Sequence, residues 1–487
     1  MLGFGTLAGA AASNPTASLA ALRRGPLTLL VPAAAPTGST VAAPPPIEAG
    51  TTSEAPVTGE SPASEPSQEA AGGGGHAKSG GKGHSGGSSG ASTGSKLPPI
   101  KHVFVIMLAD EPYALTFGPE SPAPYVAHTL EHRGELLTRV YAVAHEGLAD
   151  GIALISGLGP TPQTAADCPT YSDILPSLPD KQGQYTAGQG CIYPRSAETI
   201  GGQLEAKHLS WRVYAEAIGQ STPSARLTAC WHPEFNAPDP TAQTPPGDRF
   251  ATFRDPFSYF DGVIHSPACA GNDVGIEKLA ADLHSAAKTP AFSYIVPDLC
   301  DDGRPTPCVP GGSGGLSATE GFLKRVVPEI LASPAYRKNG LLIITTDQAP
   351  ATGEYGDSSS CCLQPRFPAP ALAAAGAVGA TGPTGSGGPS GATGPGGATG
   401  PTGATGPAGS TATTPAGITL PPSGGGQVGA LLLSRYVKAG TSNEEPANDF
   451  TLLHTIEEIF GLPYLGYAAA KGVSSLEAEV FSNYTVG

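Results

Sequence analysis

The sequence predicts an α/β fold: an α/β/α sandwich built on a mostly parallel central sheet. Three observations carry that expectation. Three apolar runs, Val103–Met107, Ala291–Val296 and Gly340–Thr346, are short and bounded by polar residues or turns, as strands buried on both faces are. Segments with helical spacing lie between them, and strands that alternate with helices indicate parallel pairing through crossovers. Each run also leads into acids: Asp110 after the first, Asp301 and Asp302 soon after the second, Asp347 directly after the third. Functional groups in open α/β sheets collect beyond the carboxyl ends of the strands, so these acids mark the candidate site.

The elements follow in order. Lys101–Gly118, KHVFVIMLADEPYALTFG, opens the globular part with a core strand that delivers Asp110 and Glu111. Tyr125–Arg133 reads as a helix and Leu136–Val143 as an extended segment. Gly151–Ser156 is an apolar stretch that reads as a strand ending at the Ser-Gly-Leu-Gly turn. Glu198–Lys207 is an amphipathic helix and Ser210–Tyr214 a short strand. Gly275–Ala287 reads as a helix with Ile276, Leu279, Ala280 and Leu283 on its apolar side, and Glu320–Leu331 as another helix. Val428–Leu433 gives a late strand. Phe450–Phe460 closes the pattern as a helix with Leu452, Leu453, Ile456 and Phe460 on one face.

The chain of 487 residues, with 67 Gly and 51 Pro, has room for one large domain, but it also carries two low-complexity tracts. Residues 1–97 are rich in Ala, Pro, Gly and Ser and lack periodicity, so they are expected to be disordered. Within them, Arg23-Arg24 followed by Leu27–Val31 and Ala33–Ala35 loosely resembles an export signal, interrupted by Pro32. His76 and His84 read there as parts of a solvated linker rather than a metal trap. The second tract, 366–421, interrupts the domain at 98–487, and from Gly376 to Thr411 it carries glycine at every third residue, the collagen signature. A collagen rod rises roughly 3 Å per residue and would hold its ends about 100 Å apart. Both ends return to one domain, so a disordered surface loop is favoured over a triple helix that trimerises the protein.

A formal net charge of −15 argues against nucleic acid and against anionic membrane surfaces as partners. No stretch is long and apolar enough to span a bilayer. The eight Cys show no CxxC spacing, which argues against structural zinc. Their even number points to disulfides and an oxidising, extracytoplasmic or secreted location. Proximity favours Cys168–Cys191, Cys230–Cys269 and Cys300–Cys308, with connectivity open.

Clustered carboxylates at one sheet edge suit a divalent cation that binds an ester phosphate, and the loop AHEGLADGIALISG adds His145, Glu146 and Asp150. With these residues the sequence resembles the bacterial phosphoesterase family that contains phospholipase C and acid phosphatases, within the alkaline phosphatase-like superfamily. The resemblance covers about 99–365 and 422–470. It rests on KHVFVIML, on Gly118, on ALISG at 153–157, on SWRVYAE at 210–216, on DPFSYF at 255–260, on LLIITTDQ, and on TLLHTIEEIFGLPYLGYA. It implies an alkaline phosphatase-like fold and a metal-dependent phosphoric-ester hydrolase.

The chemistry-bearing positions of that family differ in this chain. The Glu-Asn that follows the opening strand is Ala109-Asp110. The His-Pro-Ser-x-Pro-Asn motif is His145-Glu146-Gly147-Leu148-Ala149-Asp150, which keeps the His and replaces the nucleophile with Gly147. The His-Asn before Pro-Phe is Arg254-Asp255. The His-Asp-Gly-His is Asp301-Asp302-Gly303-Arg304, and the Asp-Glu is Asp347-Gln348. His145, Asp302 and Asp347 match outright. Gly147 has no group to attack phosphorus.

Three readings follow. The first is a catalytically weak or inactive homologue. The second is a hydrolase with a rearranged, Asp-rich site. In it Asp110, Asp301, Asp302 and Asp347 hold Ca²⁺, Mg²⁺ or Zn²⁺, His145 acts as acid or base, and Arg254 or Arg304 grips the phosphate of a small phosphoester or phospholipid head group. The third is an extracellular surface or structural protein. The second requires the oxygens of Asp110, of Asp301 or Asp302, and of Asp347 to converge.

Overall fold

The structure, a computed structural model, describes residues 97–219, 227–242, 249–308, 311–362, 364–365, 367, 424–476 and 479–484. Apart from Leu97 and Phe367, the tracts expected to be disordered or collagen-like at 1–97 and 366–421 lie outside these residues.

The first apolar run forms β1 (His102–Leu108), buried throughout except at His102. Its side chains alternate between two cores. Val103, Val105 and Met107 join one, and Phe104, Ile106 and Leu108 the other. Period-two alternation with both faces apolar is what a sheet covered on both sides requires. The chain continues through β2 (Glu135–Leu137) to α1 (Gly147–Ser156) and α2 (Ile200–Ala206). It then forms β3 (Trp211–Ala215), β4 (Asp273–Gly275), β5 (Phe292–Val296), α3 (Leu316–Ala332) and β6 (Gly340–Thr346). It ends in β7 (Ala430–Ser434), β8 (Thr441–Asn443) and α4 (Asp449–Phe460).

One eight-stranded sheet runs in the order β8-β2-β7-β6-β1-β5-β3-β4. β1 lies at its centre and pairs in parallel with β5 and β6. β7 pairs antiparallel with β6 and with β2, and the other junctions are parallel. The expected mostly parallel sheet is therefore present. α1, α2 and α4 send Ile152, Ile155, Ile200, Leu204, Leu452 and Ile456 into one core. α3 sends Phe322, Leu323, Val326, Val327 and Ile330 into the other, which completes the α/β/α layering.

Local chemistry sets the ends of these helices. Asn448 caps α4 by accepting from the Thr451 amide at 3.1 Å, and Gly461 ends it at φ +62°. Gly151–Ser156 belongs to helix α1, not to a strand. All ten residues of α1 are buried, so no polar face marks its helical period, and a short apolar run reads equally well as a strand. The Gly275–Ala287 segment is also shorter than expected: a 3₁₀ turn at Ile276–Lys278 precedes an α-helix of only Leu279–Leu283.

The three favoured disulfides form, and a fourth joins the neighbours Cys361 and Cys362. Among the described residues no helix is long and apolar enough to cross a membrane.

Candidate functional site

The parallel strands β1, β5 and β6 deliver their acids to one edge of the sheet. The Ala109 amide donates to the Asp302 carbonyl at 2.7 Å and the Asp347 amide to the Leu108 carbonyl at 3.0 Å, which ties the three strand exits together. The Asp110 amide donates to Asp347 Oδ1 at 2.9 Å, and Gln348 Nε2 donates to Asp110 Oδ1 at 3.3 Å. Backbone bonds thus bring positions 110, 302 and 347 together, and the Asp110 amide reaches the Asp347 carboxylate.

Between the carboxylates of Asp302 and Asp347 lies a guanidinium. Arg254, delivered by a 3₁₀ turn at Thr252–Arg254, donates from Nη1 to Asp347 Oδ2 and from Nη2 to the Met107 carbonyl at 2.9 Å. Its Nε lies 3.4 Å from Asp302 Oδ2. The Arg254 side chain is 2% exposed and both aspartates are fully buried, so each charge depends on the others for compensation.

Helix α1 begins against this pair. A Cβ added at Gly147 would fall on Asp347 Oδ2 and lie 3.0 Å from Arg254 Nη1. The space that the side chain of a nucleophile would need is filled by the Arg254–Asp347 ion pair.

Asp301 does not join the set. Its carboxylate lies 3.5 Å from Arg325 Nη2, which also pairs with Glu216. Asp298, Asp301 and the sulfur of Cys300 approach one another there, but Cys300 is bonded to Cys308 and offers no thiolate. Arg304 packs its guanidinium 4.8 Å above the Phe253 ring and 3.6 Å from Asp167, and its amide donates to Asp302 Oδ1 at 2.9 Å. Asp167, which the sequence reading missed, also accepts from the Leu148 amide at 3.0 Å. Arg254 and Arg304 are therefore ion-pair partners of the cluster.

Other singled-out residues have structural work. Asp150 is fully buried and accepts from the Val143 and Ala144 amides at 2.7 and 3.2 Å. Asp255 caps the turn at Pro256–Tyr259 through the Phe257 amide at 3.0 Å. Ser156 donates to the Ile152 carbonyl at 2.7 Å inside its own helix. His145 Nε2 lies 2.9 Å from Ser358 Oγ, a second residue that the sequence reading passed over.

Burial dominates the electrostatics. It pushes Glu111 up to about 8, helped by Asp110 and Asp302, and Glu146 up to about 7, helped by Asp167. It pushes Asp302 up to about 6 even though Arg254 and Arg304 oppose the shift. Burial lowers His145.

A hard cation needs several carboxylate oxygens open toward one point. Asp347 spends one oxygen on the Asp110 amide and the other on Arg254. Asp302 spends one on the Arg304 amide and turns the other to Arg254. With Asp301 turned away, a guanidinium between Asp302 and Asp347, and Asp110 Oδ1 held by Gln348, the residues present do not fit Ca²⁺, Mg²⁺ or Zn²⁺ in the expected arrangement.

Comparison with known proteins gives one family: the profile of the Phosphoesterase family matches residues 129–463. No curated protein matches the sequence. Among solved structures, one similar chain is a protein of the alkaline phosphatase superfamily from Vibrio parahaemolyticus, at 12% identity over 74% of this chain and 67% of that one, with a TM-score of 0.37. A second is a phosphonate monoester hydrolase of Agrobacterium radiobacter, at 11% identity over 80% and 78% of the two chains, with a TM-score of 0.37. A third is an inactive form of murine ectonucleotide pyrophosphatase/phosphodiesterase 5 in complex with AMP, at 11% identity over 78% and 99%, with a TM-score of 0.38.

Proposed function

The chain belongs to the Phosphoesterase family, and from that premise we propose that it keeps the family's fold without the family's metal-dependent phosphoester hydrolysis. The observation that supports this reading is the closure of Gly147 by Arg254 and Asp347. A nucleophile is missing at that position, and the position cannot accept one without displacing a buried ion pair. Arg254 pairs with Asp347 and faces Asp302, so guanidinium nitrogens take the carboxylate oxygens that a cation would use. The four disulfides support an extracytoplasmic setting for this scaffold.

The test is a hydrolysis screen paired with metal analysis. Purified protein is offered phosphomonoesters and phosphodiesters of p-nitrophenol with Ca²⁺, Mg²⁺, Mn²⁺ or Zn²⁺, and its bound metal is measured. The expected result is no turnover above buffer and no stoichiometric metal. Turnover that Asp347→Asn abolishes would overturn the proposal and restore the rearranged-site hydrolase.

A further inference from the structure

His145 and Ser358 stand at the edge of the Arg254 cluster. His145 lies two residues before the start of α1, and Ser358 lies on the loop that follows β6. The 2.9 Å between Nε2 and Oγ is the separation of a nucleophile from its general base. Both residues are partly exposed.

The backbone holds the two side chains against each other. The Asp357 amide donates to the Pro350 carbonyl at 3.0 Å, the Gly424 amide to the Ser358 carbonyl at 3.2 Å and the Gly426 amide to the Ser359 carbonyl at 3.1 Å. The same glycine strip grips the His145 side: the Gly425 amide donates to the Ala142 carbonyl at 2.9 Å and the Ala349 amide to the Gly425 carbonyl at 2.7 Å. A Cβ at Gly424 would strike the Ser359 carbonyl, and one at Gly425 the Ala144 carbonyl, so only glycine lets the three segments close up. Asp357 is itself fixed, accepting from the Ser359 and Gln427 amides at 2.8 Å each, and its charge acts on the His145 ring through space. A reactive pair on so tied a frame is pre-organised.

We propose that Ser358 and His145 form a metal-independent nucleophile–base pair that cleaves carboxylic esters of neutral or cationic alcohols. Ser358 Oγ attacks the carbonyl carbon and gives its proton to His145 Nε2. The carbon–oxygen bond to the alcohol breaks, and the alcohol leaves with that proton. A water molecule, deprotonated by His145, attacks the acyl-Ser358 ester, the acid departs, and Ser358 regains a proton. The substrate class follows from charge. Asp357 lies beside the pair, and Gln348 links the Glu146 amide to the Asp110 carboxylate close by. That acidic surround repels a phosphate dianion and tolerates a neutral acyl group.

The full-length protein is treated with a fluorophosphonate probe and, separately, with p-nitrophenyl acetate in the presence of EDTA. The expected result is one label, on the peptide that contains Ser358, and ester cleavage that EDTA leaves unchanged. Ser358→Ala should remove the label, and His145→Gln should slow both labelling and cleavage about 100-fold or more. Absence of label on Ser358 in the folded wild-type protein overturns the proposal whatever the variants do. Cleavage that persists in Ser358→Ala overturns it too. Phosphoester and carboxylic-ester substrates report separately, so failure of this proposal is distinct from failure of the scaffold reading.

Discussion

Arg254 Nη1 donates to Asp347 Oδ2 directly over Gly147, at the point where helix α1 meets the end of β6. The two residues are 93 positions apart and both are buried. Together they occupy the room that a side chain at position 147 would need. The pair therefore does two things at once: it offsets part of the negative charge of the sheet edge, and it blocks position 147.

Gly147→Ser tests the block. The new Cβ and hydroxyl must push Asp347 aside and loosen its bond to Arg254. Overpacking and a weakened buried pair together should lower stability by about 2–4 kcal/mol, read as a lower urea midpoint. No phosphatase activity should appear, because Arg254 still faces Asp302. Unchanged stability would mean that the pair is free to move.

Arg254→Met tests the neutralisation. It leaves Asp347 buried without its partner and Asp302 with Arg304 alone, which should lower stability at pH 7 by about 3–5 kcal/mol. Arg254→Lys should recover less than half of this, since an ammonium cannot reach Asp347, Asp302 and the Met107 carbonyl as a planar fork does. Adding Asp347→Asn to Arg254→Met should restore part of the loss, a non-additivity that a double-mutant cycle reads directly.

The disulfides give a graded expectation. Bonds that close longer loops restrict the unfolded chain more. Cys168–Cys191 and Cys230–Cys269 are separated by 23 and 39 residues, and Cys300–Cys308 by 8. Paired Cys→Ala changes should lower stability by about 3–4 kcal/mol for each of the first two and about 2–3 kcal/mol for the third. Chemical denaturation of the three variants measures the order.

Much of this architecture was legible in the chain itself. β1 and β6 announce themselves as apolar runs that end on acids, and α4 shows its 3.6-residue stripe. Helix α1 was not legible, because a helix buried all round carries no polar period. The identities at 109, 147, 254, 301 and 304 were readable in the chain, but the contacts that these residues make were not. Nothing local says that Arg254 meets Asp347, or that of two adjacent acids Asp302 turns to Arg254 and Asp301 to Arg325. Asp167 and Ser358 sit in polar, irregular stretches where neither period nor motif marks a site. Only the packing of distant loops brings them to Arg304 and His145.

The most general expectation concerns pH. Burial holds several carboxyls far above their usual range: Glu457 and Glu111 at about 8, Asp449 and Asp255 at about 7, and Asp302 at about 6. In the unfolded chain such groups titrate near pH 4. A folded-state value raised above the unfolded one means that the folded protein binds more protons across the interval between them, so stability falls as pH rises. The contribution of these acids is complete below about pH 4 and is lost as pH climbs through about 6 to 8. The urea midpoint should therefore decline steadily from pH 5.5 to pH 8.5. Glu457 offers the cleanest control: it is fully buried on α4, one oxygen accepts from the Leu465 amide at 2.9 Å, and the other has no hydrogen-bond partner. Glu457→Gln removes its titration and keeps the accepting oxygen, so the decline between pH 7 and 8.5 should become shallower. A midpoint that instead rises over this range, in the wild type or the variant, would show that these carboxyls are charged in the folded protein.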